Sequence, residues 1–110
     1  DRPEGPFHAF IEGSLVGEFH NGAQPIDAHL FKDGEDIYLY FGGWGHCVLT
    51  KMNEDMTGFV PFESGEIFKE ITPEDYVEGP CMFKKDGKYY FLWSAGKKLC
   101  EYSISYDGDW

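Results

Sequence analysis

Asp75-Tyr76-Val77-Glu78-Gly79-Pro80, followed by Cys81-Met82-Phe83-Lys84-Lys85-Asp86-Gly87-Lys88-Tyr89-Tyr90-Phe91-Leu92-Trp93, is the stretch on which the reading of this chain turns. Two apolar and aromatic runs flank an Asp-Gly dipeptide, a strong short-range signal for a tight β-hairpin. A Gly-Pro corner opens the first run. One carboxylate, Glu78, stands at its mouth.

The same order occurs earlier in the chain. A shift of 52 residues lays Phe31-Lys32 on Phe83-Lys84 and the run from Ile37 to Phe41 on Tyr89 to Trp93, with Tyr38 on Tyr90. A similar shift, off by about one residue, places Arg2-Pro3-Glu4-Gly5 over Asp55-Met56-Thr57-Gly58 and Phe10 over Phe62. A period near about fifty residues carrying four short strands is the pattern of β-propeller blades. A β-sandwich would also give many short strands, but it does not predict the repeat.

Around these repeats the 110 residues hold fourteen Gly and six Pro, which cut the chain into short apolar runs with no sustained helical period. The expectation is therefore all-β. Strands are expected over Phe7 to Ile11, Asp27 to Lys32, Ile37 to Phe41, His46 to Met52, Phe59 to Phe62, Pro80 to Lys84, Lys88 to Trp93 and Leu99 to Ile104. Tight turns fall at Asp33 to Asp36 and at Asp86-Gly87, and flexible corners at Gly42-Gly43-Trp44-Gly45 and Gly96-Lys97-Lys98. Leu15, Val16 and Phe19 anchor a connecting stretch from Glu12 to Gln24, and Glu63 to Pro73 reads as a polar connection around Ile67-Phe68.

As blades, residues 1–24 are an outer strand and linker, 25–74 a complete blade, and 75–110 three strands of the next. Two blades cannot cover both of their sheet faces, because each packs on its neighbours. The chain is therefore expected to be an incomplete propeller, completed by further blades of a longer protein or by other copies of itself. It begins with Asp1 rather than an initiator Met, and Asp1 to Pro6 does not have the form of a signal peptide.

Composition narrows the partners. An apolar content of 42%, with 18% aromatic, is enough for a packed core and argues against disorder. Nine basic against twenty acidic residues give a net charge of −11, which disfavours nucleic acid and anionic membranes while leaving neutral sugars compatible. No run approaches the roughly eighteen apolar residues of a membrane span. Cys47, Cys81 and Cys100 lie inside expected strands without metal spacing, so free buried thiols are expected.

Glu78 has a positional counterpart. Asp27 precedes Phe31-Lys32 by four residues and Glu78 precedes Phe83-Lys84 by five, each following an apolar residue, Ile26 or Val77. Both stand at the start of the first strand of a blade, the innermost one, and such strand ends converge on one opening of the central channel. Acids at strand starts commonly cap turns and face solvent. Two of them at equivalent points of a repeat fit glycoside hydrolysis, in which one protonated acid gives its proton to the leaving oxygen and a carboxylate activates water.

The residues also resemble a known family. Gln24-Pro25-Ile26-Asp27-Ala28-His29-Leu30-Phe31, then Asp33-Gly34 and Tyr38-Leu39-Tyr40-Phe41-Gly42-Gly43-Trp44, is similar to the second blade of glycoside hydrolase family 43. Tyr76-Val77-Glu78-Gly79-Pro80 with Phe83-Lys84 and Gly87-Lys88-Tyr89-Tyr90 resembles its third blade, and Pro3-Glu4-Gly5-Pro6-Phe7 the end of its first. The resemblance implies a five-bladed propeller and inverting hydrolysis of arabinose- and xylose-containing glycosides. By it, Glu78 matches the general acid and Asp27 the Asp that orients the acid and tunes its pKa. The family's base, an Asp near the start of the first blade, has no match here; Asp1 lies downstream of that position.

Three weaker candidates face the same opening. Trp44, His46 and Trp93 lie at or just after the ends of second strands, where an aromatic face can stack on a sugar and a histidine can donate to a hydroxyl. The alternatives are a core place for Trp93 and an exposed or satisfied side chain for His46. His29 lies in the innermost strand without a nameable partner. No ligand cluster supports a metal, although family members can hold one in the channel, and no cofactor is expected. The rival reading is a non-catalytic truncated propeller that self-associates or binds sugar without cleaving it.

Overall fold

The computed structural model describes residues 3–9, 11–96 and, for the backbone, 103–106. Among the described residues eight strands make two antiparallel sheets: β1 His29–Asp33, β2 Asp36–Phe41, β3 Val48–Met52, β4 Phe59–Val60, β5 Phe68–Glu70, β6 Tyr76–Lys85, β7 Lys88–Ala95 and β8 Ser103–Tyr106. The first sheet runs β1-β2-β3-β4 with β5 also on β3; the second runs β6-β7-β8. No helix occurs among the described residues. The fold is all-β, as expected.

The repeat is exact in register over the hairpins. Phe31 faces Tyr38 and Lys32 faces Ile37 in the first sheet; Phe83 faces Tyr90 and Lys84 faces Tyr89 in the second. Each pair is the other displaced by 52 residues. The turns differ. Gly34, at φ +61°, occupies the first central position of its two-residue loop, while Asp86 and Gly87 both have positive φ, at 51° and 75°. Those are the signatures of type II′ and type I′ turns, whose twist matches that of the strands.

Alternation along β2 sets the packing. Leu39 and Phe41 turn to one side, with Val48, Met52 and Ala23, where Leu15 and Val16 of the leading segment and Phe59 and Phe68 close over them. Tyr40 turns to the other side, where Leu49, Cys47 and Ile71 meet Tyr76, Met82, Phe91 and Trp93 of the second sheet. The repeat makes Phe91 and Trp93 the counterparts of Leu39 and Phe41. One face of the second sheet therefore packs on the opposite face of the first, a head-to-tail stacking that further blades can continue. Each large apolar side chain buried there contributes roughly 1.5–3 kcal/mol.

Several strand expectations need correction. Phe7 to Ala9 form no strand among the described residues, and Phe7 is 79% exposed. Glu63 to Pro73 is not merely a connection, because β5 lies within it. The outermost strand of the first sheet is split: β4 pairs Lys51 and Met52, while β5 pairs Val48 to Thr50. Pro61, which has no N–H for a ladder, ends β4, and a turn closed by Phe62 N–H to Glu66 C=O at 2.8 Å separates the pieces. The first sheet's inner strand starts at His29 rather than Asp27, and the third at Val48 rather than His46. β6 begins at Tyr76, four residues before Pro80. Of the expected last strand, Ser103 and Ile104 belong to β8; residues 97–102, with Cys100, and 107–110 lie outside the described residues, as do Asp1, Arg2 and Phe10. Cys47 and Cys81 are free thiols.

Candidate active site

The starts of β1, β3 and β6 and the ends of β2 and β7 lie at one end of the two sheets. Asp27 stands two residues before β1, exposed, with φ +54°. A left-handed backbone is tolerated by Asp better than by most residues. It turns the chain sharply into the strand.

Glu78 is exposed on β6, opposite Ser94. It lies between two register irregularities. Three steps from Glu78 to Cys81 face two from Leu92 to Ser94, and two steps from Tyr76 to Glu78 face one from Ser94 to Ala95. Each bulge puts one extra residue into β6, bending the strand and re-aiming its side chains. The extra residue between Glu78 and Cys81 also accounts for the offset of five residues rather than four from the Phe-Lys pair.

Asp27 lies beside this bend. A Cβ placed on Gly79 would lie 3.9 Å from Asp27 Oδ2 and 3.6 Å from Ser94 Oγ, so the Asp27 carboxylate reaches the backbone beside Glu78. Gly79 has φ +70°, a conformation that glycine adopts without strain.

Both acids hang from one corner. Gly42 N–H donates to Ile26 C=O at 3.0 Å, and Gly45 N–H donates to Val77 C=O at 3.0 Å. Ile26 and Val77 are the residues immediately before Asp27 and Glu78. The corner demands glycine: a Cβ on Gly42 would sit 2.1 Å from His46 O, and one on Gly43 2.7 Å from Ile26 Cδ1.

Beneath the corner lies Tyr76, buried in the core between the sheets. Its hydroxyl donates to Gly42 C=O at 2.8 Å, and Cys47 packs in the same core cluster. Burial pushes the Tyr76 hydroxyl well above its usual range; Cys47, Asp27 and Glu78 add to the effect. Burial also raises the Cys47 thiol to about 12, so it stays neutral.

The remaining candidates separate. Trp44 is 73% exposed at φ +59°, unusual for a bulky aromatic, and its ring meets Phe19 at 5.3 Å. Phe19 is thus not a core anchor but half of an exposed aromatic pair. Trp93 is only 5% exposed and sits in the core, 5.7 Å from Phe91, with no open face for a sugar. His46 is half-exposed, and its Nδ1 binds Glu70 Oε1 at 2.9 Å. That contact, then the Thr72 hydroxyl, holds the Glu70 carboxyl below the usual range. Thr72 also accepts from Cys47 N–H at 2.9 Å. His29 donates from Nε2 to Met82 C=O at 2.8 Å.

Tyr76 and the tie between the corner and the acids were missed from sequence, although Tyr76 stands two residues before Glu78. The Glu70 partner of His46 is 24 residues away and gives no local signal. Among the described residues no group of three or more His, Cys, Asp or Glu could hold a metal ion, and no helix is long and apolar enough to cross a membrane.

Known proteins are similar to this chain in sequence and fold. The sequence pattern of the family described as "Glycosyl hydrolases family 43" covers residues 1–109. A β-D-galactofuranosidase of Aspergillus niger is 44% identical over 96 residues, which are 86% of this chain and 27% of that protein. A probable arabinan endo-1,5-α-L-arabinosidase A of Aspergillus fumigatus is 34% identical over 80 residues, 73% of this chain and 25% of that one. The solved α-L-arabinofuranosidase of Clostridium thermocellum superposes with a TM-score of 0.73 at 29% identity, covering 96% of this chain and 36% of its own. This neighbour is a propeller of the same family, and the two sheets are partial propeller blades. The chain thus spans about a quarter of the curated relatives' length.

Proposed function

Because the chain belongs to glycosyl hydrolase family 43, we propose that it carries the acid half of a glycoside-hydrolysing site, with Glu78 as proton donor and Asp27 as its orienting partner. The observation that supports this reading is the approach of the Asp27 carboxylate to Gly79, the residue after Glu78, with each acid preceded by a residue hydrogen-bonded to the same glycine corner. Glu78 gives its proton to the departing glycosidic oxygen as the sugar–oxygen bond breaks. Asp27 steadies it. Water, activated by a carboxylate from outside this segment, attacks from the opposite face and inverts the anomeric centre.

The substrates in this reading are glycosides containing arabinose or xylose. The names of two of the relatives favour arabinose. Trp44, with Phe19, supplies an aromatic face for a sugar ring, and His46 a polar edge farther out. Trp93 acts from the core, supporting the strand that faces Glu78. Residues 25–74 form one complete blade, 1–24 the lead-in from the blade before it and 75–110 most of the blade after it. Phe83 and Tyr90 occupy the positions equivalent to Phe31 and Tyr38, and that face receives a further blade of a longer chain or of another copy.

A second reading is a propeller module that binds sugar or self-associates without cleaving, and the exposed Trp44–Phe19 pair is the observation that favours it. Assay of the purified chain on aryl pentosides, with its mass in solution, separates the two. In any assembly that hydrolyses an aryl arabinoside or xyloside, Glu78→Gln is expected to abolish turnover of substrates with a poor leaving group; unchanged turnover of those would refute the role.

A further inference from the structure

Tyr76 is bonded to neither carboxylate in this structure, yet it closes the device that holds both. The corner's amides fix the backbone ahead of each acid, Gly42 to Ile26 and Gly45 to Val77. Those bonds alone leave the corner itself free to tilt. The Tyr76 hydroxyl pins it by taking Gly42 C=O at 2.8 Å from the same strand that carries Glu78. The loop of contacts is then complete: Asp27 follows Ile26, Ile26 binds Gly42, Gly42 binds Tyr76, and Tyr76 precedes Glu78 by two residues across a bulge. A shift of the corner would move the two acids relative to each other.

We propose that Tyr76 is a positioning residue for the Asp27–Glu78 pair, acting through the Gly42–Gly45 corner. This rests on the reading of Glu78 as proton donor. It adds a third residue that fixes how the acid meets its partner, without touching substrate. Proton transfer and in-line attack are sensitive to displacements well under 1 Å, so a loosened corner lowers turnover more than binding. The buried hydroxyl also carries a structural cost of its own when removed, so stability alone cannot serve as the readout.

The test compares Tyr76→Phe with Tyr40→Phe, which removes another hydroxyl from the same core. Hydrogen exchange on the chain reads the corner directly. In Tyr76→Phe the Gly42 and Gly45 amides should exchange roughly tenfold faster while Leu49 and Phe91 keep their protection. No change at the corner, or a uniform loss throughout, overturns the proposal.

In the hydrolytically active protein that carries this segment, Tyr76→Phe should lower kcat roughly tenfold with KM within about twofold, and displace one limb of the pH–rate profile. Tyr40→Phe should leave kcat and the profile unchanged. Equal effects in the two variants would make Tyr76 merely structural and overturn the proposal. Glu78→Gln run alongside separates the two levels. Full turnover there overturns the acid assignment; full turnover in Tyr76→Phe beside an inactive Glu78→Gln overturns the role of Tyr76 alone.

Discussion

His29 on β1 donates from Nε2 to the carbonyl of Met82 on β6, 2.8 Å away. The two inner strands belong to different sheets and do not pair with each other. This bond gives a carbonyl at their junction a donor that no ladder supplies there. Tyr40 and Phe91 pack beside it at 5.6 Å, and Phe31 meets Tyr89 edge-on at 6.2 Å. The junction is a core as well as a seam, and it holds the Glu78 strand against the Asp27 strand.

The two faces of the second sheet should therefore differ sharply in cost. Phe91, 1% exposed in the seam, is expected to lose about 3–5 kcal/mol on Phe91→Ala. Phe83, 40% exposed on the opposite face, should lose less than about 1.5 kcal/mol on Phe83→Ala. Urea unfolding of the two variants checks this. Equal losses would contradict the placement of the seam.

The glycine corner makes a second contrast. Gly42→Ala drives a methyl to within 2.1 Å of His46 O, a backbone atom that cannot swing aside. The expected loss is about 3 kcal/mol or more. Gly34→Ala, at φ +61° with nothing within 4 Å of the added methyl, carries only conformational strain of about 1 kcal/mol. Thermal unfolding that ranks Gly34→Ala as the worse variant would count against the geometry of the corner.

Much of this was legible before any coordinates. The 52-residue repeat is a repeat of hairpin register, so Phe31 opposite Tyr38 and Phe83 opposite Tyr90 follow from it. The turns were readable because Gly34 and Asp86-Gly87 are chemically committed to positive φ. What failed depended on partners distant in sequence. Phe7 to Ala9 have an alternating pattern but form no strand among the described residues. Phe68-Lys69-Glu70 carries too little pattern to announce a strand, and exists because β3 offers it an edge. The bulges around Glu78 left one trace, the offset between four and five residues. In sequence Trp93 fits both a core place and a sugar platform, and burial decides for the core.

A pH-sensitive clamp lies at the other end of the seam. The Tyr89 hydroxyl, then Lys84 Nζ at 3.0 Å, hold the Asp33 carboxyl below the ordinary aspartate value of 3.8. A depressed folded value means that the stabilisation is complete above the unfolded value and is lost as pH falls through the folded one. Asp33→Asn is expected to cost about 1 kcal/mol at neutral pH, since the pair is partly solvent-exposed. Below about pH 4 the melting temperatures of the variant and the parent should converge. Curves that stay parallel down to about pH 2 would exclude the clamp.

The central claim, that Glu78 gives a proton to the leaving oxygen, is tested most directly by leaving-group dependence. Hydrolysis by Glu78→Gln is measured on two aryl arabinofuranosides that differ only in the acidity of the phenol released. A poor leaving group needs the proton; a very acidic phenol departs without it. The account predicts a loss of roughly 10²–10⁴-fold on the poor leaving group and a far smaller one on the acidic phenol. Equal losses on both, or no loss on either, would contradict it.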